Sequence, residues 1–281
     1  MNIHTATHYG MCFGVREALR RAHDTAASGP VTILGQLVHN PVVQEHLTTL
    51  GVREGRLEDV GSAGTQSVMI TAHGAADRHR AAWREAGYNV TDTTCPLVHR
   101  AHAALAQLVA EGCQPVVIGQ RGHVEVRGLI GDFPDAVVVE NEDDFATMPV
   151  AARYGVVSQT TQPIARVRGM VAAMKQRFPG AEIRFRDTVC QPTKDRQTAM
   201  EELCARCDVI VVVGGRHSNN TRQLAQTART RGITAYQIET PAELKPAWFQ
   251  GCRNAGVTAG TSTLDETVRD VIQRLKEIAA L

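Results

Sequence analysis

Short apolar runs rich in β-branched residues alternate along the chain with longer segments in which apolar residues recur at helical spacing. The short runs predict buried strands at residues 31–34, 68–71, 115–118, 136–139, 155–157, 209–213 and 256–258. The longer segments predict amphipathic helices at residues 15–25, 77–86, 98–110, 164–177, 195–205, 222–231 and 264–278. This alternation is typical of α/β units built on parallel sheets.

The order of these elements repeats three times, and each repeat opens with a cysteine. The cysteine precedes a helix and a strand, and a histidine follows the strand. These pairs are Cys12 and His39, Cys95 and His123, and Cys190 and His217, at spacings of 27, 28 and 27 residues. A second polar strand end follows at 71–74, 158–161 and 258–262. Because similar element lengths alone would not place a cysteine at each start, we predict three related modules, at 1–94, 95–189 and 190–281.

Three equivalent modules around an axis would bring Cys12, Cys95 and Cys190 to one point. Three thiolates at such a point match three corners of a 4Fe-4S cluster, whose fourth iron would keep an open coordination position for substrate. A catalytic zinc ion with three sulfur ligands is the competing interpretation. We rank it lower because catalytic zinc sites more often use histidine or carboxylate ligands. The remaining cysteines are interpreted as buried or half-buried side chains outside the site: Cys113, Cys204, Cys207 and Cys252.

Charge and composition exclude several classes of protein. The 281 residues include 30 basic and 29 acidic side chains, a formal net charge of +1, with no block of like charges. Electrostatic capture of nucleic acid or of an anionic membrane is therefore not expected. No apolar run approaches the roughly 18 residues that span a bilayer, and the first ten residues lack the features of a secretory signal. We expect a cytoplasmic protein whose seven cysteines are reduced thiols.

Polar side chains cluster where predicted strands end and helices begin. Asn40 is a good cap before a proline, residues 218–221 supply serine, asparagine and threonine, and Ser262 precedes Thr263-Leu-Asp-Glu266, a possible capping box that would open the last helix. Each of these residues alone is most simply a helix cap. Together, neutral donors and imidazoles at strand ends suit an oxyanion-rich ligand such as a diphosphate. The chain has no Walker-type phosphate loop, so ATP-driven chemistry is not expected.

Glu125 lies two residues after His123. An extended backbone would turn both side chains to the same face. A carboxyl group beside an open metal position and an anionic ligand could then donate a proton. A solvated surface carboxylate is the simpler interpretation of Glu125 taken alone.

Several ordered motifs carry a resemblance to a known family over nearly the whole chain. They are Gly10-Met-Cys12-Phe-Gly14-Val15, Val38-His39-Asn40-Pro41, Ala72-His73-Gly74, Asp92-Thr-Thr-Cys95-Pro96, Gly122-His123-Val-Glu125, Ser158-Gln159-Thr160-Thr161, Asp187-Thr-Val-Cys190 with Arg196-Gln197, and Ser218-Asn219-Asn220. The chain thereby resembles the 4-hydroxy-3-methylbut-2-enyl diphosphate reductases, which catalyse the last step of the methylerythritol phosphate route to isoprenoids.

The resemblance implies a trefoil of three α/β modules around a 4Fe-4S cluster bound by Cys12, Cys95 and Cys190. It implies that a ferredoxin or flavodoxin supplies two electrons and that the substrate hydroxyl leaves as water. Isopentenyl or dimethylallyl diphosphate would be the product. Glu125 and Thr160 would lie along the proton path, with His123 as an alternative donor. The substrate would be held by His39, His73, His123, Thr160, Ser218, Asn219, Asn220 and Ser262.

Four features depart from the usual family motifs. They are Phe13, Arg127, the pair Gln191-Pro192, and Asn219, where the family has a serine. Two other functions stay open at this point. A 4Fe-4S hydro-lyase would use the open iron as a Lewis acid without net electron transfer, and an iron–sulfur redox sensor would bind a phosphorylated effector without converting it.

Overall fold

The computed structural model of the protein describes residues 1–280. The strands are β1 (Asn2–Thr5), β2 (Val31–Leu34), β3 (Arg53–Gly55), β4 (Ser67–Ile70), β5 (Asn89–Asp92), β6 (Gln114–Ile118), β7 (Val137–Val139), β8 (Arg153–Ser158), β9 (Glu182–Phe185), β10 (Val209–Val213), β11 (Thr234–Ile238) and β12 (Asn254–Ala259). The α-helices are α1 (Phe13–Ser28), α2 (Pro41–Thr49), α3 (Asp77–Glu85), α4 (Pro96–Ala110), α5 (Val124–Ile130), α6 (Ile164–Arg177), α7 (Gln191–Cys204), α8 (Asn219–Thr230) and α9 (Asp265–Ala279).

The strands form three parallel sheets of four strands each, in the orders β3-β2-β4-β5, β7-β6-β8-β9 and β1-β12-β10-β11. The predicted fold class, three related α/β modules, is confirmed by these sheets. The chain divides into two compact units. One contains residues 1–16, 38–46 and the chain from Gln191 onward, and the other contains residues 17–37 and 47–190. The third sheet lies in the former unit, and the first two sheets lie in the latter.

Every sheet has the same plan, with two buried central strands between two edge strands. In the third sheet, the central strand β10 buries all five of its residues. Val211 and Val213 face a core that includes Leu275 of α9, while Ile210 and Val212 face the opposite core. A strand buried on both faces reads as a continuous apolar run, which explains why the sequence predicts the central strands.

The edge strands were not predicted, with the exception of β7. Their residues are partly exposed and mostly polar, as in Asn2–Thr5, Asn89–Asp92 and Glu182–Phe185. Because no apolar run marks such a strand, the hydrophobic pattern does not predict it. The first edge strand also pairs in parallel with β12, so residues 2–5 join the sheet of the last segment of the chain. The boundaries 1–94, 95–189 and 190–281 otherwise stay a prediction.

The predicted helices agree with the structure to within a few residues at their ends, but two helices were missed. For α2 the sequence predicted only its Asn40–Pro41 start. For α5 no helix was predicted, and the extended backbone expected from His123 to Glu125 is wrong because Val124–Ile130 is helical. Within residues 1–280, the structure contains no helix with the length and apolar character needed to cross a membrane.

Candidate active site

Each of three cysteines stands directly before a helix. Cys12 precedes α1, Cys95 is the residue before α4, and Cys190 precedes α7. Each also follows an edge strand, since β1, β5 and β9 are the preceding strands along the chain. A helix N-terminus carries unpaired N–H groups and favours negatively charged ligands and side chains. The three positions are therefore suited to thiolates.

The backbone at these cysteines repeats in detail. The N–H of Cys12 donates to the Thr261 carbonyl oxygen at 3.1 Å. The N–H of Cys95 donates to the Ala72 carbonyl oxygen at 3.0 Å, and the N–H of Cys190 donates to the Thr160 carbonyl oxygen at 2.9 Å. In each case the acceptor lies in the loop after the central strand that neighbours the edge strand, namely β12, β4 or β8. The predicted repetition thus extends to individual hydrogen bonds.

The four other cysteines lie in different surroundings. Cys113 and Cys207 are buried, and Cys204 and Cys252 are partly buried. Burial raises the pKa of the Cys207 thiol to about 11 and raises the pKa values of Cys204 and Cys252 as well. A raised pKa disfavours the thiolate that metals require. These environments support the interpretation of the four as residues outside the site.

In the unit that contains the third sheet, His39 lies with Asn40 and Ser262. The Asn40 side chain accepts from the Val42 N–H at 3.0 Å and donates to the Ser262 carbonyl oxygen at 2.7 Å. The Ser262 hydroxyl donates to the His39 carbonyl oxygen at 3.4 Å. Burial, together with the charges of His217 and Arg222, lowers the pKa of His39 to about 4. The imidazole is therefore neutral near pH 7.

The loop after β10 leads into α8 in the same unit. Ser218 caps this helix by accepting from the Thr221 N–H at 3.4 Å. Asn219 and Asn220 are its first two residues and are 4% and 3% exposed. Within residues 1–280, the Asn220 Nδ2 and the Thr221 hydroxyl have no hydrogen-bond partner although they are buried. Buried donors at a helix N-terminus favour an anionic ligand that would accept from them.

In the other compact unit, His73, His123, Glu125 and Thr160 follow the central strands of two sheets. The rings of His73 and His123 lie edge to face with centroids 5.7 Å apart. His123 caps α5, and its Nδ1 accepts from the Glu125 N–H at 3.1 Å, which leaves Nε2 as the donor of the neutral ring. Glu125 Oε1 accepts from the Thr160 N–H at 2.5 Å.

The Glu125 carboxyl is 2% exposed. Burial raises its pKa to about 7, against the opposing effect of hydrogen bonds from Thr160. The group is thus divided between its acid and its base form near neutral pH. This is the range in which a carboxyl can serve as a proton donor.

Two local predictions are wrong. Glu125 does not follow His123 in an extended chain, because His123 ends the loop and Glu125 is the second residue of α5. The predicted capping box from Thr263 to Glu266 does not open the last helix, because α9 begins at Asp265 and Leu264 is the residue before it. Helix α8 also begins three residues earlier than predicted, at Asn219.

Two residues to which the sequence patterns assigned no role shape these loops. The side chain of Gln159 accepts from the Gln120 N–H at 3.0 Å and so joins the loops after β6 and β8. Gly215 approaches the backbone of His39 so closely that a Cβ there would overlap the His39 carbonyl oxygen. The paired glycines after β10 were the only sequence signal for that close approach.

Three of the departures from the family motifs lie at the starts of helices or on the surface. Phe13 is the first residue of α1 and is exposed. The Arg127 guanidinium pairs with the Glu58 carboxylate at 3.2 Å, and both side chains are exposed. Asn219 keeps a polar side chain at the first position of α8.

Within residues 1–280, one group of at least three His, Cys, Asp or Glu side chains has ligand atoms within 4.8 Å of one another, and it consists of Asp77, His102 and Asp132. The Asp132 carboxylate already accepts from the Asp77 and Arg78 N–H groups at 2.6 and 3.0 Å and from the His102 ring at 3.1 Å. The Asp77 carboxylate pairs with Arg80 at 2.8 Å. Asp132 therefore caps the N-terminus of α3, and these bonds explain why the three side chains lie close together.

The loops and helix starts that follow the parallel strands thus carry polar donors, a buried carboxyl group and three thiols. This arrangement is typical of α/β enzymes. The family model described as LytB protein matches residues 3–276, and the chain belongs to this family. The resemblance inferred from the motifs is thereby confirmed.

Two relatives that match over nearly the full chain carry a common name. The chain is 36% identical over 280 residues to 4-hydroxy-3-methylbut-2-enyl diphosphate reductase of Pelobacter propionicus, covering 99% of both chains. It is 34% identical to the enzyme of that name from Aquifex aeolicus, covering 99% of this chain and 97% of the relative.

Two solved structures share the fold. The E-1-hydroxy-2-methyl-but-2-enyl-4-diphosphate reductase of Plasmodium falciparum has a TM-score of 0.91 at 24% identity, over 98% of this chain and 88% of the other. A structure of (E)-4-hydroxy-3-methyl-but-2-enyl diphosphate reductase, described as the terminal enzyme of the non-mevalonate pathway, has a TM-score of 0.70 at 33% identity. That match covers 99% of this chain and all of the other.

Proposed function

We propose that the chain is a cytoplasmic reductase that converts 4-hydroxy-3-methylbut-2-enyl diphosphate to isopentenyl and dimethylallyl diphosphate. The reaction takes up two electrons and two protons, breaks the bond between carbon and the hydroxyl oxygen, and releases water. The names of relatives that match over nearly the full chain support this substrate. The observation that carries the proposal is the threefold repetition of a cysteine before a helix, each with the same backbone hydrogen bond.

Cys12, Cys95 and Cys190 would hold a 4Fe-4S cluster. The donor set fits the group, because these three partly buried thiols directly precede helices, whose N-termini favour thiolates, and none of the other four cysteines does so. When bound, such a cluster supplies electrons and one iron with an open coordination position. A zinc ion fits the proposed reaction less well because it has no redox chemistry.

The diphosphate would be held by neutral donors. His39 is neutral near pH 7, as its pKa of about 4 indicates, and donates through a ring N–H. Asn220 offers a buried Nδ2 at the start of α8, and Ser218, Asn219 and Ser262 lie at the ends of the same sheet's central strands. The helix N-terminus adds unpaired backbone N–H groups and the positive end of its dipole. The resemblance to the family assigns His73 and His123 to the same ligand as further imidazole donors.

Glu125 would deliver the proton that the product carbon receives. Its buried carboxyl keeps a proton near neutral pH, and the Thr160 N–H and hydroxyl hold it in place. Thr160 also contacts the Cys190 backbone, so the proposed donor and a proposed ligand are fixed by one residue. His123, whose Nδ1 is occupied by the Glu125 N–H, could donate only through Nε2.

Electrons would come from a ferredoxin or flavodoxin, as the resemblance to the family implies. The test is anaerobic purification followed by iron and sulfide analysis, then incubation with the substrate with and without a strong chemical reductant. We expect four irons per chain and isoprenoid diphosphates only when the reductant is present. Turnover without a reductant would indicate a hydro-lyase. Iron content with no consumption of substrate under strong reduction would indicate a redox sensor.

A further inference from the structure

Two arginine side chains lie in the interior of the protein. Within residues 1–280, Arg80 and Arg196 are the buried arginines, each 6% exposed. A buried guanidinium is costly unless hydrogen bonds satisfy its five N–H donors. The acceptors of both side chains therefore indicate what each arginine holds in place.

Arg80 belongs to α3, and its guanidinium donates hydrogen bonds to the segment before Cys95. Its Nε donates to the Asp92 carboxylate at 2.9 Å, and its Nη2 donates to the Thr94 hydroxyl at 3.1 Å. Its Nη1 donates to the Asp77 carboxylate at 2.8 Å and to the Ala75 carbonyl oxygen. One side chain thus binds the loop that ends at Cys95 and the loop that follows His73.

The segment before Cys95 is itself a tight turn. The Thr94 N–H and hydroxyl both donate to Asp92 Oδ1, at 2.9 and 2.5 Å. Burial opposes ionisation of Asp92, but the bonds from Thr94 and the charge of Arg80 lower its pKa. Gly74, at a φ of +81°, packs against this turn, and a Cβ there would lie 2.9 Å from the Thr94 side chain. The turn is therefore fixed by an ionised carboxylate and by close packing.

Arg196 belongs to α7, the helix that Cys190 precedes, and it binds the segment before Cys12. Its Nη2 donates to the carbonyl oxygens of Gly10 at 2.6 Å and Tyr9 at 3.4 Å, and its Nη1 donates to Pro192 at 2.7 Å. Gly10 has a φ of +71°, so the chain turns sharply two residues before the cysteine. These three acceptors of Arg196 are backbone carbonyl groups, whereas three of the four acceptors of Arg80 are side chains.

We propose that Arg80 and Arg196 are positioning residues, which separately hold the backbone before Cys95 and the backbone before Cys12 in the conformation that presents each thiol. The inference rests on the proposed function, in which both thiols bind the cluster. A guanidinium suits this task because its planar fork can satisfy several acceptors at fixed angles, whereas a lysine ammonium is a point charge. Neither arginine touches the substrate in this proposal.

The test uses the full chain without metal, reduced under anaerobic conditions, and measures how fast each cysteine is alkylated by iodoacetamide. Site-resolved mass spectrometry separates Cys12, Cys95 and the remote Cys252. Arg80→Met should raise the rate at Cys95 by about tenfold, the factor expected for one lost hydrogen bond to a charged group, and leave Cys12 within about twofold. Arg196→Met should do the reverse. Each variant is thus the matched control for the other.

Equal increases at both cysteines in either variant would mean a general loosening of the fold and would overturn the proposal, as would unchanged rates in both. Should Arg80→Met not fold, Thr94→Val removes one acceptor of Arg80 at nearly constant shape and should raise the rate at Cys95 alone. Arg80→Lys keeps the charge and should recover part of the protection. A folded Thr94→Val protein with the parent rate at Cys95 would count against the proposal.

The iron-loaded protein gives a second measurement. Because the arginines act on ligand loops and not on the diphosphate, Arg80→Lys should lower kcat about tenfold with KM within about twofold of the parent value. A change confined to KM would overturn the positioning role. If the parent protein binds no iron, the proposed function fails, but the alkylation pattern still tests the two loops.

Discussion

Oε1 of Glu125 accepts a hydrogen bond of 2.5 Å from the backbone N–H of Thr160. Glu125 lies on the helix after β6, and Thr160 lies in the loop after β8, the strand beside β6 in the sheet. The contact therefore exists because two neighbouring parallel strands end at the same edge. It holds the carboxyl in a buried position, where its pKa rises to about 7.

We expect Glu125→Gln to lower the rate of substrate conversion by about 10²–10⁴-fold, the usual contribution of a general acid. Glutamine keeps the shape and an acceptor for the Thr160 N–H, so binding of the substrate should change little. Single-turnover kinetics with a chemical reductant would measure the first effect, and calorimetric titration the second.

Glu85→Gln, on the exposed side of α3, is a matched control and should behave as the parent. His123→Phe gives the decisive comparison. A Glu125→Gln protein with the parent rate, together with an inactive His123→Phe protein that still binds substrate, would transfer the proton path to His123.

The pH dependence of kcat should follow the same carboxyl. The donor is competent when protonated, and its pKa is raised to about 7, so kcat should be highest below pH 7. The anionic substrate should raise this pKa further, because it disfavours the carboxylate, and kcat reports the enzyme with substrate bound. We therefore expect kcat to begin to fall at or above pH 7 and then to fall about tenfold for each pH unit. A profile of kcat from pH 5.5 to 9 that is flat in the parent protein would contradict the assignment.

The central strands and the cysteine repeats were predictable because each leaves a strong signal, an apolar run or a rare residue in a fixed order. The segment Val124–Ile130 was not, since alternating valines and a short length resemble a strand. The start of this helix is marked by His123, whose ring nitrogen caps it. Histidine is not among the common capping residues, so it did not indicate a helix. The residue before the last helix was also missed, because Leu264 has no capping side chain.

Contacts between distant segments could not be predicted from one sequence. The bond from Asn40 to the Ser262 carbonyl oxygen joins residues that are 222 positions apart. Local patterns carry no information on such a pair, although both residues were singled out separately as polar strand ends. Likewise, the buried state of Arg80 depends on Asp92 and Thr94 from another element, while its own helix is strongly polar.

The cysteines should divide into two groups on substitution. Serine at Cys12, Cys95 or Cys190, one at a time, should reduce iron content well below four per chain, because a hydroxyl is a poor replacement for a thiolate ligand. Serine at Cys252, a partly buried member of the other group, should leave iron content unchanged. Iron and sulfide analysis after anaerobic purification measures both. A full cluster in the Cys95→Ser protein would contradict the ligand assignment.

The two proposed phosphate donors should distinguish a diphosphate from a monophosphate. His39→Ala and Asn220→Ala each remove a hydrogen bond to a charged group, which typically lowers affinity about ten- to a hundred-fold. We expect the larger loss for the substrate diphosphate and a smaller one for the corresponding monophosphate. Calorimetric titration of both ligands gives the ratio. Equal losses would show that these side chains do not contact the terminal phosphate.

Gly215 offers a test that leaves every proposed donor in place. A Cβ at this position overlaps the His39 carbonyl oxygen, so Gly215→Ala must displace the backbone of His39 and disturb its bond from Ser262. We expect the affinity for the substrate to fall by about tenfold, the equivalent of one misplaced hydrogen bond. Gly180→Ala, where a Cβ meets nothing within 4 Å, is the matched control and should keep the parent affinity. Because Gly215 has no side chain to contribute, a folded Gly215→Ala protein with unchanged affinity would mean that the position of His39 does not govern binding.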